Sequence, residues 1–503
     1  MKKTRSEKAI INTFSELILQ LVTAICAFIL PRLILTHFGS AYNGITQSIT
    51  QFIGCIALLK SGIGSVTRAA LYKPLSKNDN VGISEVVNAT SNFMKRVAII
   101  FISVIVMFAM VYPFIISNEF DWFFTFTLVI ILSISTFAQY FFGLTYQMVL
   151  EADQLNYIIS IINIFSTILN TIIASILIIM GFEIRIVKLS SAIVFALPPI
   201  FYNIYVKNKY NIDKSITPNY SLINERWDAF GHQLADFINL NTDIILITIF
   251  LGVKEVSVYT VYYMVANSIK KVINAFETGS TAAFGNMIAK EENERLKVRF
   301  EQYEFLAFFI SSFLLTVTGI LLVPFIKIYT HGIHDINYVR WLFSILVCIS
   351  VFIDTIKNPY QQIVYAAGKF KKTRNGAFVE AFINIFVSIV LINMIGMNGV
   401  IIGTIVALAY RTLRYHFFIC ENVIQRRKSN ILLKLLFSLC IAFTSTILIK
   451  KFIVINCISY FQWGINAIFV SIIILLISIV FSFIFFKNDL FEIIKTIKKI
   501  IFR

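Results

Sequence analysis

Long apolar segments separated by short polar ones constrain this chain more than any other feature. Residues 10–38 read IINTFSELILQLVTAICAFILPRLILTHF, and a second, more polar segment follows at 44–72. An apolar run of about 20 residues is long enough for a helix to cross the hydrocarbon core of a bilayer. Because lipid offers the backbone no hydrogen-bond partners, such runs predict transmembrane helices.

Fourteen spans of this kind follow one another and predict an all-α, polytopic membrane protein with about 14 transmembrane helices. They cover residues 10–36, 42–67, 95–117, 122–150, 157–180, 186–206, 232–251, 257–285, 302–329, 339–365, 376–395, 399–420, 431–454 and 463–486. The composition agrees, because 58% of the residues are hydrophobic and only 14% are charged, against roughly 25% charged in a soluble protein.

The net charge of +17 resembles that of a nucleic-acid-binding protein, but its distribution indicates a membrane protein. With the N-terminus placed inside, most of the 44 Lys and Arg residues fall in short segments on one side of the spans. Cytoplasmic loops of membrane proteins carry this excess of positive charge. We therefore expect both termini in the cytoplasm and no nucleic acid partner.

Two halves of six spans lie on either side of the longest loop. Each half contains Tyr-Gln followed by Ile-Asn-Ile-Phe, within 146–169 and within 360–390, with a connecting loop seven residues longer in the second copy. A weaker match sets Phe38-Gly39 against Leu251-Gly252. The predicted plan is a cytoplasmic N-terminus (1–9), an N-lobe (10–206), a cytoplasmic inter-lobe linker (207–231), a C-lobe (232–420), helices 13 and 14 (421–486) and a basic cytoplasmic tail (487–503).

Cations within or beside the spans are the candidate substrate-binding residues. A bare cation inside a transmembrane helix costs roughly 2.5–3.5 kcal/mol on insertion scales, so it is expected to face water, a partner or a substrate. The candidates are Lys270, Lys271, Lys60, Arg68, Arg32, Arg411 and Arg414. Five of them have a structural alternative. Arg32 is an alternative outer-surface anchor, Lys270 and Lys271 are alternative partners of Glu277 or Asp243, and the two arginines of span 12 are alternatively side chains that reach the headgroups.

Acidic residues in the spans are the candidate coupling-ion or gate residues, namely Asp236, Asp243, Glu16 and Glu277. Asp236 and Asp243 belong to a polar stripe on span 7, and Glu16 to a similar stripe on span 1. Such stripes face a wet interior or form hydrogen bonds between helices. We expect two further acids to be neutralised locally: Asp354 by Lys357, and Glu380 by Lys372 or Arg374.

The approximate repeat also sets Lys60-Ser61-Gly62 against Glu277-Thr278-Gly279. We hypothesise that Lys60 and Glu277 form a contact that helps to close the inner side in an outward-facing state. The sequence has no Walker-type phosphate loop, no metal-ligand cluster and no nucleophile–base arrangement. It predicts a transporter rather than an enzyme, without a cofactor and with H⁺ or Na⁺ as candidate coupling ions.

Several stretches resemble the polysaccharide-biosynthesis flippases of O-antigen and capsule clusters (Wzx type). These proteins belong to the superfamily that also contains the multidrug and toxin extrusion (MATE) antiporters. The resemblance is carried by stretches such as FGSAYNGITQSITQF (38–52), GIGSVTRAALYKPL (62–75), SVYTVYYMVANSIKKVINAFETG (257–279) and AAGKFKKTRNGAFVEAFINI (366–385). The six-plus-six-plus-two plan is similar to that of the flippase branch.

The resemblance implies two lobes around a hydrated cavity that opens alternately to each side of the bacterial cytoplasmic membrane. It implies an oligosaccharide repeat unit on undecaprenyl diphosphate as substrate, with membrane lipid around it and a polysaccharide polymerase and chain-length machinery as partners. A MATE-like drug/cation antiporter remains an alternative, although such proteins typically have twelve spans. A membrane-embedded polymerase or ligase is a further alternative, but it usually needs a longer outer loop than this chain contains.

Overall fold

The computed structural model describes residues 5–56, 63–223, 241–277, 280–452, 457–492 and 495. The described residues form seventeen α-helices of nine residues or more, and no strand is found among them. The helices are α1 (Arg5–Phe38), α2 (Ser40–Ile56), α3 (Ile63–Lys77), α4 (Asn80–Ile115), α5 (Trp122–Ala138), α6 (Leu144–Ala152), α7 (Asn156–Ile179), α8 (Ile184–Lys209), α9 (Asn241–Leu251), α10 (Val253–Glu277), α11 (Ser280–Ala289), α12 (Asn293–Tyr329), α13 (Trp341–Ala366), α14 (Phe370–Ile395), α15 (Met397–Asn422), α16 (Asn430–Phe452) and α17 (Tyr460–Phe485).

The predicted all-α membrane fold is confirmed, because the described residues of each of the fourteen spans lie mainly in one or two of these helices. Within the described residues, ten helices are long and apolar enough to cross a membrane. The chain is therefore a multi-pass membrane protein. The second span contains α2 and α3, and residues 57–62 between these helices lie outside the described part of the chain. The eighth span contains α10 and α11, and residues 278–279 between them are likewise not described.

Backbone conformation supports the predicted duplication. Four residues of the first half with positive φ have counterparts 213 to 215 residues later, also with positive φ. The pairs are Gly39 (89°) with Gly252 (87°), Asn78 (50°) with Glu291 (57°), Gln154 (57°) with Gly368 (64°), and Gly181 (79°) with Gly396 (60°). L-amino acids rarely adopt this conformation, so its recurrence at one spacing is a strong sign of a repeated unit.

The same spacing corrects one part of the sequence alignment. The connections 153–155 and 367–369 are equally long, so the loop predicted to be seven residues longer in the second half is wrong. The Tyr-Gln match lies in register, whereas the Ile-Asn-Ile-Phe match at 162–165 and 383–386 does not. The alignment of Lys60 with Glu277 also differs by four residues from the spacing of the positive-φ residues on either side of it, Gly39 with Gly252 and Asn78 with Glu291.

The chain divides into two compact units, Met1–Ser257 and Val258–Arg503. In the first unit, α8 packs against both α5 and α7, α4 packs against α5, and α1 packs against α7. Helix α2 approaches the start of α10 so closely that a Cβ atom on Gly44 would lie 1.7 Å from the carbonyl oxygen of Val253. Glycine at this position therefore allows the two backbones to touch.

The second unit repeats part of this packing. Helix α15 packs against α13 and α14, and α12 packs against α13. Helices α16 and α17 pack against each other and against α12. Polar contacts fix them there: the indole N–H of Trp463 donates to the carbonyl of Leu321 at 3.1 Å, and Ser312 donates to Ser438 at 2.8 Å. The two additional helices are thus integral to this unit.

Candidate functional site

A carboxylate on α13 is held between two lysines. Lys357 Nζ lies 2.8 Å from Oδ1 of Asp354, and Lys270 Nζ of α10 contacts Oδ2 of the same carboxylate. One turn further along both helices, Asn358 donates a hydrogen bond of 3.0 Å to Oδ1 of Asn274. Two polar rungs therefore join α10 to α13, and the rung formed by the lysine–aspartate–lysine triad carries one surplus positive charge.

The triad is partly accessible. The side chain of Lys270 is 25% exposed, that of Asp354 is 17% exposed and that of Lys357 is 14% exposed. The predicted neutralisation of Asp354 by Lys357 is confirmed. The acid in contact with Lys270 was not foreseen, because Asp354 follows it by more than 80 residues and only the packing of α10 on α13 brings the two together.

A second buried charge pair lies between α14 and α15. Arg411 Nε lies 3.4 Å from Oε2 of Glu380, its Nη1 donates to the carbonyl of Thr373 at 2.8 Å, and its Nη2 donates to the Tyr415 hydroxyl at 2.6 Å. A Cβ on Gly376 would lie 2.5 Å from that Nη1 atom, so this glycine makes room for the guanidinium on the backbone of α14. Three polar contacts therefore fix this arginine.

One sequence expectation about this pair needs correction. We expect Lys372 or Arg374 beside Glu380 from the sequence, and the contact found is with Arg411 of α15. The error arises because the sequence shows neighbours within one helix but not those across a helix–helix interface.

Two candidate cations of the second unit keep exposed side chains. Lys271 and Arg414 are both exposed, and no ion pair is found for either among the described residues. Lys271 follows Lys270 by about 100° around the helix, so it points away from the triad. Arg414 lies one turn after Arg411, and its Nε would be 3.4 Å from a Cβ on Gly376. A substrate role for both remains a prediction.

In the first unit, Arg68 of α3 forms an ion pair with Glu151 of α6, with Nη1 2.7 Å from Oε2. Gln147 donates to the other oxygen of that carboxylate at 3.0 Å. The side chain of Arg68 is still 37% exposed, so the cation remains reachable by an anion. Arg32 on α1 is half-buried, and its substrate role also remains a prediction.

The polar stripe on α1 contacts the first turns of α7. Asn12 accepts a hydrogen bond of 2.8 Å from the backbone N–H of Tyr157, and Ser160 donates to Glu16 at 3.1 Å. These contacts favour hydrogen bonding between helices over a water-lined wall for this stripe.

Asp243, from the stripe on span 7, is buried in α9.

Three predicted residues, or their side chains, lie outside the described part of the chain. Lys60 and Asp236 lie outside the described residues, and the Glu277 side chain is not described either. The hypothesised contact between Lys60 and Glu277 and the roles of all three residues therefore stay predictions.

The most deeply buried charge cluster was missed by the sequence analysis. Glu304 on α12 is fully buried and accepts two hydrogen bonds from Arg426, at 2.5 Å and 2.6 Å. Lys434 of α16 also contacts this carboxylate, and the Tyr360 hydroxyl donates to it at 2.6 Å. The Glu304 cluster ties α12, α13 and α16 together. The one sequence signal was Lys434, a cation inside an apolar span without a local acid.

A further acidic centre, also missed, fixes one end of the first unit. Asp153, between α6 and α7, lies 3.3 Å from Lys8 Nζ and 2.9 Å from Lys209 Nζ, and it accepts a hydrogen bond from the Tyr210 hydroxyl. Burial raises the pKa of the Asp153 carboxyl, but the hydrogen bonds from Tyr210 and Lys209 outweigh burial and hold this pKa below its ordinary value. The Asp153 cluster joins α1 to the end of α8.

Comparisons with known proteins support the fold. No family model and no curated protein matches the sequence. Among solved structures, the chain is similar to the lipid II flippase MurJ in an inward closed conformation, with a TM-score of 0.69 and 14% identity over 95% of this chain and 99% of that one. It is also similar to an inward-facing multidrug resistance MATE family transporter of the MOP superfamily (TM-score 0.55, 14% identity, 80% and 94% covered). A third similar structure is the eukaryotic MATE transporter AtDTX14 (TM-score 0.53, 13% identity, 83% and 96% covered).

These similarities confirm the fold that the family resemblance implies. The architecture is the one shared by MurJ and the MATE transporters. The three solved proteins are described as a flippase or as transporters, and none as an enzyme.

Proposed function

We propose that this protein flips undecaprenyl-diphosphate-linked oligosaccharide repeat units from the inner to the outer face of the bacterial cytoplasmic membrane, for surface polysaccharide synthesis. The observation that carries the proposal is the surplus of positive charge inside the spans of the second unit. Among the described residues, Lys270 and Lys357 share the single carboxylate of Asp354, whereas Arg411 pairs with Glu380. A partly accessible site with excess cations at membrane depth suits an anionic substrate.

Coverage of the solved structures also supports a flippase. MurJ aligns with 95% of this chain, whereas the two MATE structures align with 80% and 83%. The part left over in the MATE comparisons is about as long as segment 421–503, which contains α16 and α17. The structure that aligns with 95% of this chain is thus that of a lipid II flippase, whereas the two shorter alignments are with MATE transporters.

The proposed substrate fits the physical chemistry of such a chain. Its sugar requires water, its diphosphate requires cations, and its polyprenyl tail stays in lipid. Moving one negative charge outward across an inside-negative membrane gains about 2.3 kcal/mol per 100 mV. A doubly charged diphosphate therefore gains roughly 4–5 kcal/mol at that potential without ATP. Coupling to H⁺ or Na⁺ through Asp243, Asp236 or Glu16 is a secondary proposal, as is delivery of the product to a polymerase with its chain-length machinery.

A drug/cation antiporter would need accessible acids without cationic partners. In the described part of the second unit, Glu304, Asp354 and Glu380 each contact at least one cation. In this unit, the charge balance favours an anionic substrate over a cationic drug.

Complementation of a flippase-null bacterial strain tests the proposal. We expect expression of the protein to restore surface polysaccharide and to remove the internal pool of lipid-linked repeat units. The double variant Lys270→Ala with Lys271→Ala should abolish export while the amount of protein in the membrane stays normal. The double variant Lys450→Ala with Lys451→Ala, at the end of α16, is the matched control and should export normally. If the internal pool persists with the wild-type protein, the proposal fails for that substrate.

A further inference from the structure

We infer that Asp354 is a tethered counter-anion, which occupies the position of a substrate phosphoryl oxygen next to Lys270 and is replaced there when the substrate binds. This inference rests on the proposed function for the identity of the substrate, but its chemistry concerns any phosphate-bearing anion. The carboxylate holds a lysine on a neighbouring helix through one oxygen and a lysine on its own helix through the other. A phosphoryl group presents oxygens of the same charge and comparable reach.

The two contacts of Asp354 differ in how they can break. Lys357 lies three residues after Asp354 on the same helix, so this contact persists when α10 and α13 shift or when a ligand arrives. Lys270 belongs to α10, and only its side chain crosses to α13. When Lys270 turns to a phosphoryl oxygen, Asp354 keeps Lys357 as its partner. The exchange therefore leaves no carboxylate without a partner, which would be costly at this depth.

The second rung keeps the helices together during the exchange. The hydrogen bond between Asn358 and Asn274 lies one turn away from the triad and involves no charge. It holds α10 against α13 whether or not Lys270 contacts Asp354. Only a lysine side chain has to move, and it has three N–H donors on a flexible four-carbon chain.

The Glu304 cluster shows what a purely structural version of this arrangement looks like. It also places one carboxylate between two cations, Arg426 and Lys434. Its carboxylate is 0% exposed and receives a bidentate contact from an arginine, so no external anion reaches it. The Asp354 triad consists of two lysines, and its Lys270 side chain is 25% exposed. The same charge pattern is therefore fully buried in the Glu304 cluster and partly accessible in the Asp354 triad.

A counter-anion of this kind weakens substrate binding, and weak binding benefits a transporter. Every bound phosphate has to displace Asp354 from Lys270, so part of its interaction energy is offset by the lost ion pair. On release, the carboxylate returns to the lysine and prevents immediate rebinding. The affinity for a phosphate-bearing ligand is thus set by Asp354 as well as by the cations.

Binding of inorganic pyrophosphate to the purified full-length protein tests the inference directly. We expect Asp354→Asn to bind pyrophosphate at least tenfold more tightly than the wild type, because Lys270 no longer has an internal anion. Adding Lys270→Met to that variant should return the affinity to the wild-type level or below. Asp335→Asn, which removes one acid from an exposed loop, is the control for net charge and should leave the affinity unchanged.

A second variant shows whether tighter binding comes from freeing Lys270 or only from the changed charge of the triad. Asp354→Asn with Lys357→Met removes one acid and one cation, so the charge balance of the triad is preserved. It should also bind pyrophosphate more tightly than the wild type. If a folded Asp354 variant, judged by its melting temperature and size-exclusion profile, binds no more tightly, the inference is wrong. Complementation reports separately on the proposed function: tighter pyrophosphate binding without export of lipid-linked saccharide would overturn the function and leave the counter-anion in place.

Discussion

The guanidinium of Arg411 lies where a side chain on Gly376 would be: a Cβ built on this glycine comes within 2.5 Å of Nη1. The arginine cannot simply move aside, because Glu380, Thr373 and Tyr415 all hold it. We therefore expect Gly376→Ala to destabilise the protein by about 1–3 kcal/mol, as overpacking of a buried site does. The melting temperature in detergent measures this effect.

Gly464→Ala on α17 is the matched control for that substitution. A Cβ at Gly464 meets no atom within 4 Å, so alanine should be neutral or slightly stabilising there. Equal melting temperatures for both variants would show that the space beside Gly376 is not needed by Arg411.

The Glu304 cluster should be needed for assembly of the second unit. Glu304→Gln leaves Arg426 and Lys434 buried without a counter-charge, and breaking a buried ion pair in this way costs about 3–5 kcal/mol. We expect a strong loss of folded protein from the membrane, measured by fluorescence-detected size exclusion. Glu421→Gln, in an exposed pair with Lys428, should have almost no effect. A stable, monodisperse Glu304→Gln protein would contradict the structural role.

The Asp153 cluster predicts a pH dependence of stability. The pKa of Asp153 is lower in the folded protein than its ordinary value of 3.8, so the unfolded chain binds the proton more readily. The cluster therefore stabilises the fold fully above that ordinary value and loses its contribution as the pH falls through the lower folded pKa. Asp153→Asn should lower the melting temperature at neutral pH, and the difference from the wild type should shrink only below about pH 4.

Tyr210→Phe provides the internal control for the Asp153 cluster. It removes the hydroxyl that donates to the carboxylate but keeps the ring, so it should cause a smaller loss of stability with the same pH profile. A difference between Asp153→Asn and the wild type that already disappears between about pH 8 and 6 would contradict this assignment.

The two adjacent lysines of α10 should behave differently when changed singly. Lys270 contacts Asp354, whereas Lys271 is exposed and points elsewhere. We expect Lys270→Ala to reduce the rate of lipid-linked saccharide export at least tenfold, and Lys271→Ala to reduce it less. Export rates normalised to the amount of protein in the membrane measure both effects. A larger defect for Lys271→Ala would move the substrate contact to the other face of the helix.

The helices were predictable because apolar length alone decides which segments cross a membrane. The contacts among charged residues were harder to predict from the sequence. Asp354 and Lys357 are neighbours within one helix and were correctly paired. Glu304 meets Arg426 and Lys434 across more than 120 residues of chain, and no local pattern encodes such a contact. The repeat was recognisable, but its register became clear only from the residues with positive φ, which sequence letters do not reveal.

Transbilayer movement of the substrate in a purified system tests the central claim most directly. The protein is reconstituted into vesicles that hold an undecaprenyl-diphosphate-linked oligosaccharide in the inner leaflet, and a membrane-impermeant reagent measures its arrival in the outer leaflet. We predict that an inside-negative potential accelerates this arrival in vesicles with the wild-type protein, and that Lys270→Ala abolishes the acceleration. An arrival rate equal to that of protein-free vesicles, with and without the potential, would contradict flipping by this protein.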